Sequence, residues 1–142
     1  MMMMKILIAD DHEDHCLSIR MLLEQHGHEV KIVGDGREVI VQARGFHPDA
    51  ILMDLNMPEI DGWQATFKLR NDPDLRSIPI IALTGYSLPG DKARAKSAGC
   101  DRIHVKPANI GELMMEIETL VAASRDTNRL LVRTKGKHLF RE

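Results

Sequence analysis

Five polar residues with side chains suited to phosphate and metal chemistry each follow a short apolar run of this sequence. They are Asp10, Asp11, Asp54, Thr84 and Lys106. If the apolar runs are parallel strands, these positions all lie on the carboxyl edge of one sheet. Open α/β sheets bind their ligands at that edge, where the strand order reverses. We therefore expect one shared site, in which the three carboxylates converge if the first and third strands are neighbours.

The chemistry expected of this site is phosphoryl transfer assisted by a divalent metal. Three carboxylates in a small space repel one another, and protonation or a cation relieves such a cluster. The all-oxygen donor set, to which Asn56 adds a carbonyl or carboxamide oxygen, suits Mg²⁺ or Mn²⁺ rather than zinc. Lys106 can pair with a carboxylate or a phosphoryl oxygen, and Thr84 supplies a hydroxyl donor. Together these groups match in-line transfer to a carboxylate nucleophile.

The elements that must position these residues are read from alternating apolar and amphipathic stretches. Strands are predicted at 5–9, 29–33, 50–53, 79–83 and 102–105, and helices at 14–25, 37–44, 63–70, 89–98 and 109–121. Gly27, Gly45 and Gly99 are predicted to end three of the helices. Five strands in strict alternation with five helices indicate an α/β fold, a parallel sheet covered on both faces, because strands buried on both sides appear as continuous apolar runs.

The composition indicates an ordinary globular domain. The 142 residues are 44% hydrophobic and 28% charged, and the net charge of −2 gives no overall attraction to nucleic acid or to anionic membranes. No apolar run approaches the roughly 20 residues that span a bilayer, and residues 1–4 do not resemble a secretory signal. Cys16 and Cys100 are isolated thiols, which suits buried positions and a cytoplasmic location.

The C-terminal segment differs in charge from the rest of the chain. Residues 124–142 carry six basic and two acidic residues, whereas residues 1–123 carry 13 basic and 19 acidic ones. We therefore predict a domain over 1–123 and a basic extension over 124–142. Three interpretations of the extension stay open: a flexible or partly helical tail, a segment that pairs with another subunit through Leu130–Val132, and nucleic-acid contact. The last has basic charge and a lone Phe140 but too little chain for a recognition fold.

Five short motifs carry a resemblance to a known family. They are Asp10-Asp11, Asp54 with Asn56-Met57-Pro58, Gly62, Leu83-Thr84-Gly85 and Lys106-Pro107. Over about residues 5–123 their order and spacing resemble the receiver domains of bacterial response regulators and hybrid sensor kinases. The resemblance implies a flavodoxin-like, doubly wound fold, with a five-stranded parallel sheet in the order 2-1-3-4-5 and five helices.

The resemblance also implies a role for each matching residue of the metal pocket. Asp54 resembles the phosphoacceptor of the family. Asp10 and Asp11 resemble the acidic pair that holds Mg²⁺ or Mn²⁺, with Asp11 the more direct ligand and Asp10 acting through water. Asn56 would lend its backbone carbonyl to the metal, beside the carboxylate of Asp54.

The partners and the mechanism follow from the same resemblance. A sensor histidine kinase or a histidine phosphotransfer protein would donate a phosphoryl group to Asp54, after which Thr84 and Lys106 would contact its oxygens. The face formed by helix 4, strand 5 and helix 5 would rearrange and change contacts with a downstream protein. Such a module is not an enzyme beyond its own phosphorylation and dephosphorylation. A homodimer through that face or the tail stays an alternative, and neither a membrane nor nucleic acid is an expected partner.

Several positions depart from the family pattern or flank the site. Many receivers place Tyr or Phe three residues before the lysine, but Ile103 stands there and the nearest ring is His104, so the usual aromatic switch is not expected. Tyr86 and Asn56 flank the expected mouth of the pocket. His12 is predicted to be a solvated loop residue, with a role in metal access as the alternative. Three further histidines are predicted at helix surfaces or ends, namely His15, His26 and His28.

Two other functions fit parts of the pattern. A metal-dependent aspartyl-phosphate phosphohydrolase usually carries its nucleophile after the first strand, with a second acid two positions later. In this chain position 12 is His, and Asp54 follows the third strand, which disfavours that class. A receiver that binds partners without being phosphorylated is disfavoured by the complete set of acids, threonine and lysine.

Overall fold

The structure is a computed structural model that describes residues 3–57, 59–85 and 88–139, with side chains up to position 127. Five strands and five helices alternate along the described chain, as predicted. The strands are β1 (Lys5–Ala9), β2 (Glu29–Val33), β3 (Ala50–Asp54), β4 (Ile80–Thr84) and β5 (Arg102–Val105). The helices are α1 (Glu13–Gln25), α2 (Gly36–Phe46), α3 (Gly62–Arg70), α4 (Asp91–Ala98) and α5 (Ile110–Leu139). Pro58, Tyr86, Phe140 and the side chains of 130–132, to which predictions were attached, lie outside the description.

The sheet is parallel throughout, in the order β2-β1-β3-β4-β5, which confirms the predicted doubly wound, flavodoxin-like fold. Helices α1 and α5 bury residues on one face of the sheet, and α2, α3 and α4 bury residues on the other. From β1 the chain first moves to β2 at one edge and then returns to β3 on the opposite side of β1. The strand order therefore reverses between β1 and β3, and their carboxyl ends flank a crevice.

Burial differs between the central strands and the edge strands. β3 and β4 are buried along their whole length, and β1 is buried beyond Lys5. β2 and β5 carry exposed residues because each has a neighbouring strand on one side only. The expectation of two-sided burial is thus confirmed for the three central strands and wrong for the two edges.

Two helices end later than predicted. Gly45 does not end α2, which continues to Phe46 and closes at His47 in the left-handed conformation (φ 51°). The buried Phe46 side chain outweighs the weak helix preference of one glycine.

Helix α5 continues far beyond position 121, to Leu139. The change of charge at position 124 is therefore not accompanied by a break in the helical backbone. The helix still contacts the domain there, because Ser124 Oγ donates to the Ser77 carbonyl (3.3 Å) and Arg125 pairs with Asp49 (3.1 Å).

His28 was expected at a helix surface or end, but it is buried, with only 4% of its surface exposed. Its Nδ1 accepts the backbone N–H of Met4 at 3.1 Å and so ties the start of β1 to β2. Burial lowers the pKa of His28, and the nearby His26 adds to this effect, while Glu118 opposes it. Since the folded pKa lies below the unfolded one, the unfolded chain binds the proton first as the pH falls. His28 therefore contributes stability above about pH 6.5, and this contribution is lost as the pH falls through the lowered pKa.

We expect His28→Gln to reduce the free energy of unfolding by about 1 kcal/mol at pH 7.5. At pH 5 we expect this difference in the free energy of unfolding to shrink. Protonation of His28 then destabilises the folded wild type, whereas the variant has no imidazole to protonate. Urea unfolding at the two pH values measures both differences. The exposed His47→Asn variant, which keeps a residue tolerant of positive φ, serves as the control and should show no such change. A constant difference for His28→Gln would contradict the prediction.

Candidate functional site

The five predicted residues all lie at the carboxyl edge of the sheet. Backbone hydrogen bonds continue past the strand ends and hold these positions together. Asp10 N–H donates to Val33 (3.0 Å), Leu55 N–H to Leu83 (3.0 Å) and Lys106 N–H to Thr84 (2.7 Å). A cleft of about 620 Å³ opens at this edge, and its lining comprises His12, Glu13, Asp14, His15, Asp54, Asn56, Gly85, Lys106 and Pro107.

Lys106 bridges two buried carboxylates at the base of this cleft. Its Nζ lies 2.9 Å from Oδ2 of Asp10 and 3.2 Å from Oδ2 of Asp54. The side chains of Asp10 and Asp54 are 0% and 2% exposed, so water screens these charges little. One ammonium faces two carboxylates, which leaves this part of the site with an excess negative charge.

The pKa values of the three groups reflect that environment. Burial acts to raise the pKa of Asp10, but hydrogen bonds from Lys106 and from the His12 backbone N–H outweigh it and hold the pKa below its ordinary value. At Asp54 burial prevails over the Asn56 N–H and Lys106, and the pKa lies above its ordinary value. Burial acts to lower the pKa of Lys106, but its hydrogen bond to Asp10 and the two negative charges raise it instead. Lys106 is therefore a fixed positive charge of the site.

The two oxygens of Asp54 have different surroundings. Oδ1 accepts the backbone N–H of Asn56 at 3.0 Å. Oδ2 is buried and forms a 3.2 Å ion pair with Lys106, but it has no hydrogen bond of good geometry among the described residues. A buried charged oxygen without a hydrogen bond is costly, and such atoms are found where a ligand or ion completes the site.

The start of α3 packs directly against the backbone of Asp54. The side chain of Asp61 accepts the backbone N–H of Gln64 at 2.9 Å and caps the helix. Gly62 then passes so close to β3 that a Cβ atom there would lie 2.1 Å from the carbonyl oxygen of Asp54. The N–H of Gly62 also donates to the carbonyl of Leu55 (3.2 Å). Glycine is thus required where the helix begins directly beneath the end of β3.

The other predicted residues occupy the same edge. Thr84 is the last residue of β4 and is buried. Asp11 is exposed beside His12, and Asn56 lines the cleft. Ligand atoms of Asp10, Asp11 and Asp54, together with one nitrogen of His12, all lie within 4.8 Å of one another.

Two histidines contact the carboxylates of this site, which was not predicted from the sequence. His12 Nδ1 lies 3.1 Å from Oδ1 of both Asp10 and Asp11, although its side chain is 67% exposed. His15 was expected on a helix surface, but its Nδ1 lies 3.0 Å from Oδ2 of Asp10. The available signal was their position: α1 starts three residues after Asp10, so its first turn must pass beside the carboxyl end of β1.

Residues 103 and 104 point to opposite faces of β5. Ile103 is half-buried and packs against the core beneath α2, α3 and α4. The His104 ring is hydrogen-bonded through Nε2 to the carboxylate of Glu116 in α5. The His104 ring therefore contacts α5. It does not take the place of the aromatic side chain that many receivers carry three residues before the lysine.

Comparisons with known proteins agree with this geometry. Residues 6–118 match the family described as the response regulator receiver domain. The chain is 35% identical over 114 residues to the polar-differentiation response regulator DivK of Brucella ovis, which covers 80% of this chain and 93% of DivK. In the part of the chain that the structure describes, no helix has both the length and the apolar character needed to cross a membrane.

Solved structures give the same result. The receiver domain of a signal transduction histidine kinase from Syntrophus aciditrophicus superposes with a TM-score of 0.78 and 33% identity, over 84% of this chain and 91% of that one. The receiver domain of the sensor histidine kinase PA1611 from Pseudomonas aeruginosa, crystallised with a magnesium ion in its active site cleft, gives a TM-score of 0.77 and 32% identity, over 85% and 99%. The present chain therefore belongs to the response regulator receiver domain family of two-component signalling.

Proposed function

We propose that this chain accepts a phosphoryl group on Asp54 from a phosphohistidine of a sensor kinase or phosphotransfer protein. The observation that carries the proposal is the Asp54 carboxylate itself. It lies at the reversal of strand order, beside a cationic Lys106 and with a buried oxygen that lacks a hydrogen bond among the described residues. A buried carboxylate beside a fixed cation can attack phosphorus and have the added charge stabilised.

The donor set of the site fits a divalent metal. We assign Asp10, Asp11, Asp54 and the backbone carbonyl of Asn56 as the residues that would hold Mg²⁺, with Mn²⁺ as an alternative. Two features support this assignment: the excess carboxylate charge around Lys106, and the lack of a hydrogen bond to the buried Oδ2 of Asp54 among the described residues. When bound, the metal neutralises charge on the carboxylates and on the phosphoryl oxygens. The magnesium in the PA1611 receiver, a similar structure, is consistent with it.

The transfer step needs only groups of this site and the donor. A carboxylate oxygen of Asp54 forms the new O–P bond while the N–P bond of the phosphohistidine breaks. The imidazole leaves with the bonding electron pair and takes up a proton from solvent. Lys106 Nζ already lies 3.2 Å from Asp54 and would contact one phosphoryl oxygen, and Thr84 would donate its hydroxyl to another.

Phosphorylation would change the contacts that partners make with the face formed by α4, β5 and α5. Thr84 and Lys106 are joined by a backbone hydrogen bond of 2.7 Å, so a shift of Thr84 towards the phosphoryl group would move the end of β5 as well. That strand is an edge strand with the exposed Val105 available to a partner. A downstream protein or a second copy of the chain are the alternatives for this surface. Residues 1–123 would carry this activity, with 124–142 as a basic extension.

Incubation with acetyl phosphate and Mg²⁺, followed by intact mass measurement, tests the proposal. We expect the wild type to gain one phosphoryl group, and Asp54→Ala to gain none. The exposed Asp74→Asn variant is the matched control and should be phosphorylated like the wild type. If neither an adduct nor a metal-dependent change is seen, the chain is a receiver that binds partners without phosphorylation. Rapid multiple turnover of phosphate esters would favour the phosphohydrolase alternative, which the family match does not support.

A further inference from the structure

An imidazole lies inside the carboxylate cluster of the proposed metal site. Nδ1 of His12 is 3.1 Å from Oδ1 of Asp10, 3.1 Å from Oδ1 of Asp11 and 3.7 Å from Oδ2 of Asp54. The backbone N–H of His12 also donates to Oδ1 of Asp10 (2.8 Å), which fixes the position of the His12 backbone beside this carboxylate. The ring is therefore part of the cluster, although most of its surface is exposed.

This nitrogen has more charged neighbours than one hydrogen or one lone pair can satisfy. A ring nitrogen carries one hydrogen at most, so Nδ1 cannot make good hydrogen bonds to two carboxylates at once. The ammonium of Lys106 lies 3.5 Å away, and because an ammonium can only donate, a hydrogen bond from it requires a lone pair on Nδ1. With a lone pair there, both carboxylate contacts join one acceptor to another. A metal ion bound by Nδ1 and the carboxylate oxygens would make the contacts among these ligands favourable, and Lys106 would then donate to Asp10 and Asp54 alone.

Two of these three distances are those expected between ligands of one ion. Bonds from zinc to imidazole nitrogen and carboxylate oxygen are about 2.0–2.2 Å long. Two ligands at such distances are roughly 3 Å apart at a right angle and about 3.4 Å apart at a tetrahedral angle. The 3.1 Å separations of His12 Nδ1 from Asp10 and Asp11 fall within this range, and its 3.7 Å separation from Asp54 is slightly longer. The buried Oδ2 of Asp54, which has an ion pair with Lys106 but no hydrogen bond in the described structure, is a second sign of a missing ligand.

We propose that His12 is an imidazole ligand of this site, which therefore binds first-row transition-metal ions such as Co²⁺ and Zn²⁺ more tightly than Mg²⁺. This inference rests on the metal site of the proposed function and adds a specificity-determining residue to it. Imidazole binds borderline ions well, whereas Mg²⁺ strongly prefers oxygen ligands. His15 and Lys106 both contact Oδ2 of Asp10 and hold this carboxylate in place, as outer partners of metal ligands do.

Metal titrations of the full chain test the inference. Co²⁺ binding is followed by its visible absorption spectrum and Mg²⁺ binding by calorimetry. We expect the wild type to bind Co²⁺ at least about tenfold more tightly than Mg²⁺. His12→Asn should weaken Co²⁺ binding at least about tenfold, change the Co²⁺ spectrum to that of an all-oxygen site and leave Mg²⁺ affinity nearly unchanged. The exposed His47→Asn variant is the matched control and should behave like the wild type.

The outcomes separate this inference from the proposed function. If His12→Asn leaves Co²⁺ affinity and spectrum unchanged, or weakens Co²⁺ and Mg²⁺ equally, His12 is not a ligand and the inference is overturned. The proposed function survives that result as long as acetyl phosphate and Mg²⁺ still yield the Asp54 adduct. If the wild type binds neither ion and forms no adduct, both fail. Urea unfolding of His12→Asn shows whether the variant is folded, and its exposed position predicts that it is.

Discussion

Replacing Asp54 with Asn is expected to abolish phosphorylation and, in the absence of metal, to raise the free energy of unfolding by about 1 kcal/mol. Linkage gives the sign of the second effect. Burial raises the pKa of Asp54 in the folded chain above its ordinary value. At neutral pH the ionised carboxylate therefore opposes folding, and a neutral side chain of the same shape removes that cost. Lys106 keeps its 2.9 Å pair with Asp10 in the variant.

In saturating Mg²⁺ we expect the wild type to become more stable than Asp54→Asn. A ligand that binds only the folded state stabilises it in proportion to the logarithm of its concentration over the dissociation constant. The wild type should therefore gain stability as Mg²⁺ is added, whereas Asp54→Asn, which lacks one carboxylate of the cluster, should gain little. Urea unfolding with EDTA and with saturating Mg²⁺ measures both effects. Asp74→Asn, an exposed substitution of the same kind, should follow the wild type, and a variant of Asp54 that is less stable in EDTA would refute the charge argument.

Much of this site could be predicted from the sequence because its residues follow strands. A buried parallel strand is a continuous apolar run, and the polar residue that ends it must lie at the carboxyl edge. This reasoning brought Asp10, Asp54 and Lys106 together before any geometry was known. It depends on the direction of the strands and on their order, which the resemblance to receiver domains implied, and both were correct.

The surroundings of the site were harder to predict because they depend on how helices meet the sheet. His15 contacts Asp10 only because α1 starts immediately beside β1 and turns its first residues inward. His28 is buried because its ring accepts the N–H of Met4, a partner 24 positions away in the chain. Neither contact leaves a periodic pattern. The late end of α5 escaped prediction for a different reason: charge changed at position 124, but no residue there stops a helix.

The position of Gly62 gives the largest expected effect on stability. Replacement by Ala would place Cβ 2.1 Å from the Asp54 carbonyl oxygen, 2.7 Å from Leu55 Cα and 2.9 Å from the Asp54 carbonyl carbon. These are backbone atoms at the end of β3 and cannot rotate away as a side chain could. Helix α3 and the strand must separate, which should cost about 3 kcal/mol or more in the free energy of unfolding.

The folded fraction of Gly62→Ala should also lose phosphorylation, because the displaced backbone is that of Asp54 itself. Urea unfolding and the acetyl phosphate reaction measure the two effects on one sample. Gly45→Ala is the matched control: it lies within α2, and its added Cβ meets no described atom within 4 Å. That substitution should stabilise the chain by about 0.5–1 kcal/mol, since alanine favours a helix interior over glycine. Equal stabilities of Gly62→Ala and the wild type would mean that α3 does not press against β3, and the account of how Asp54 is positioned would then be wrong.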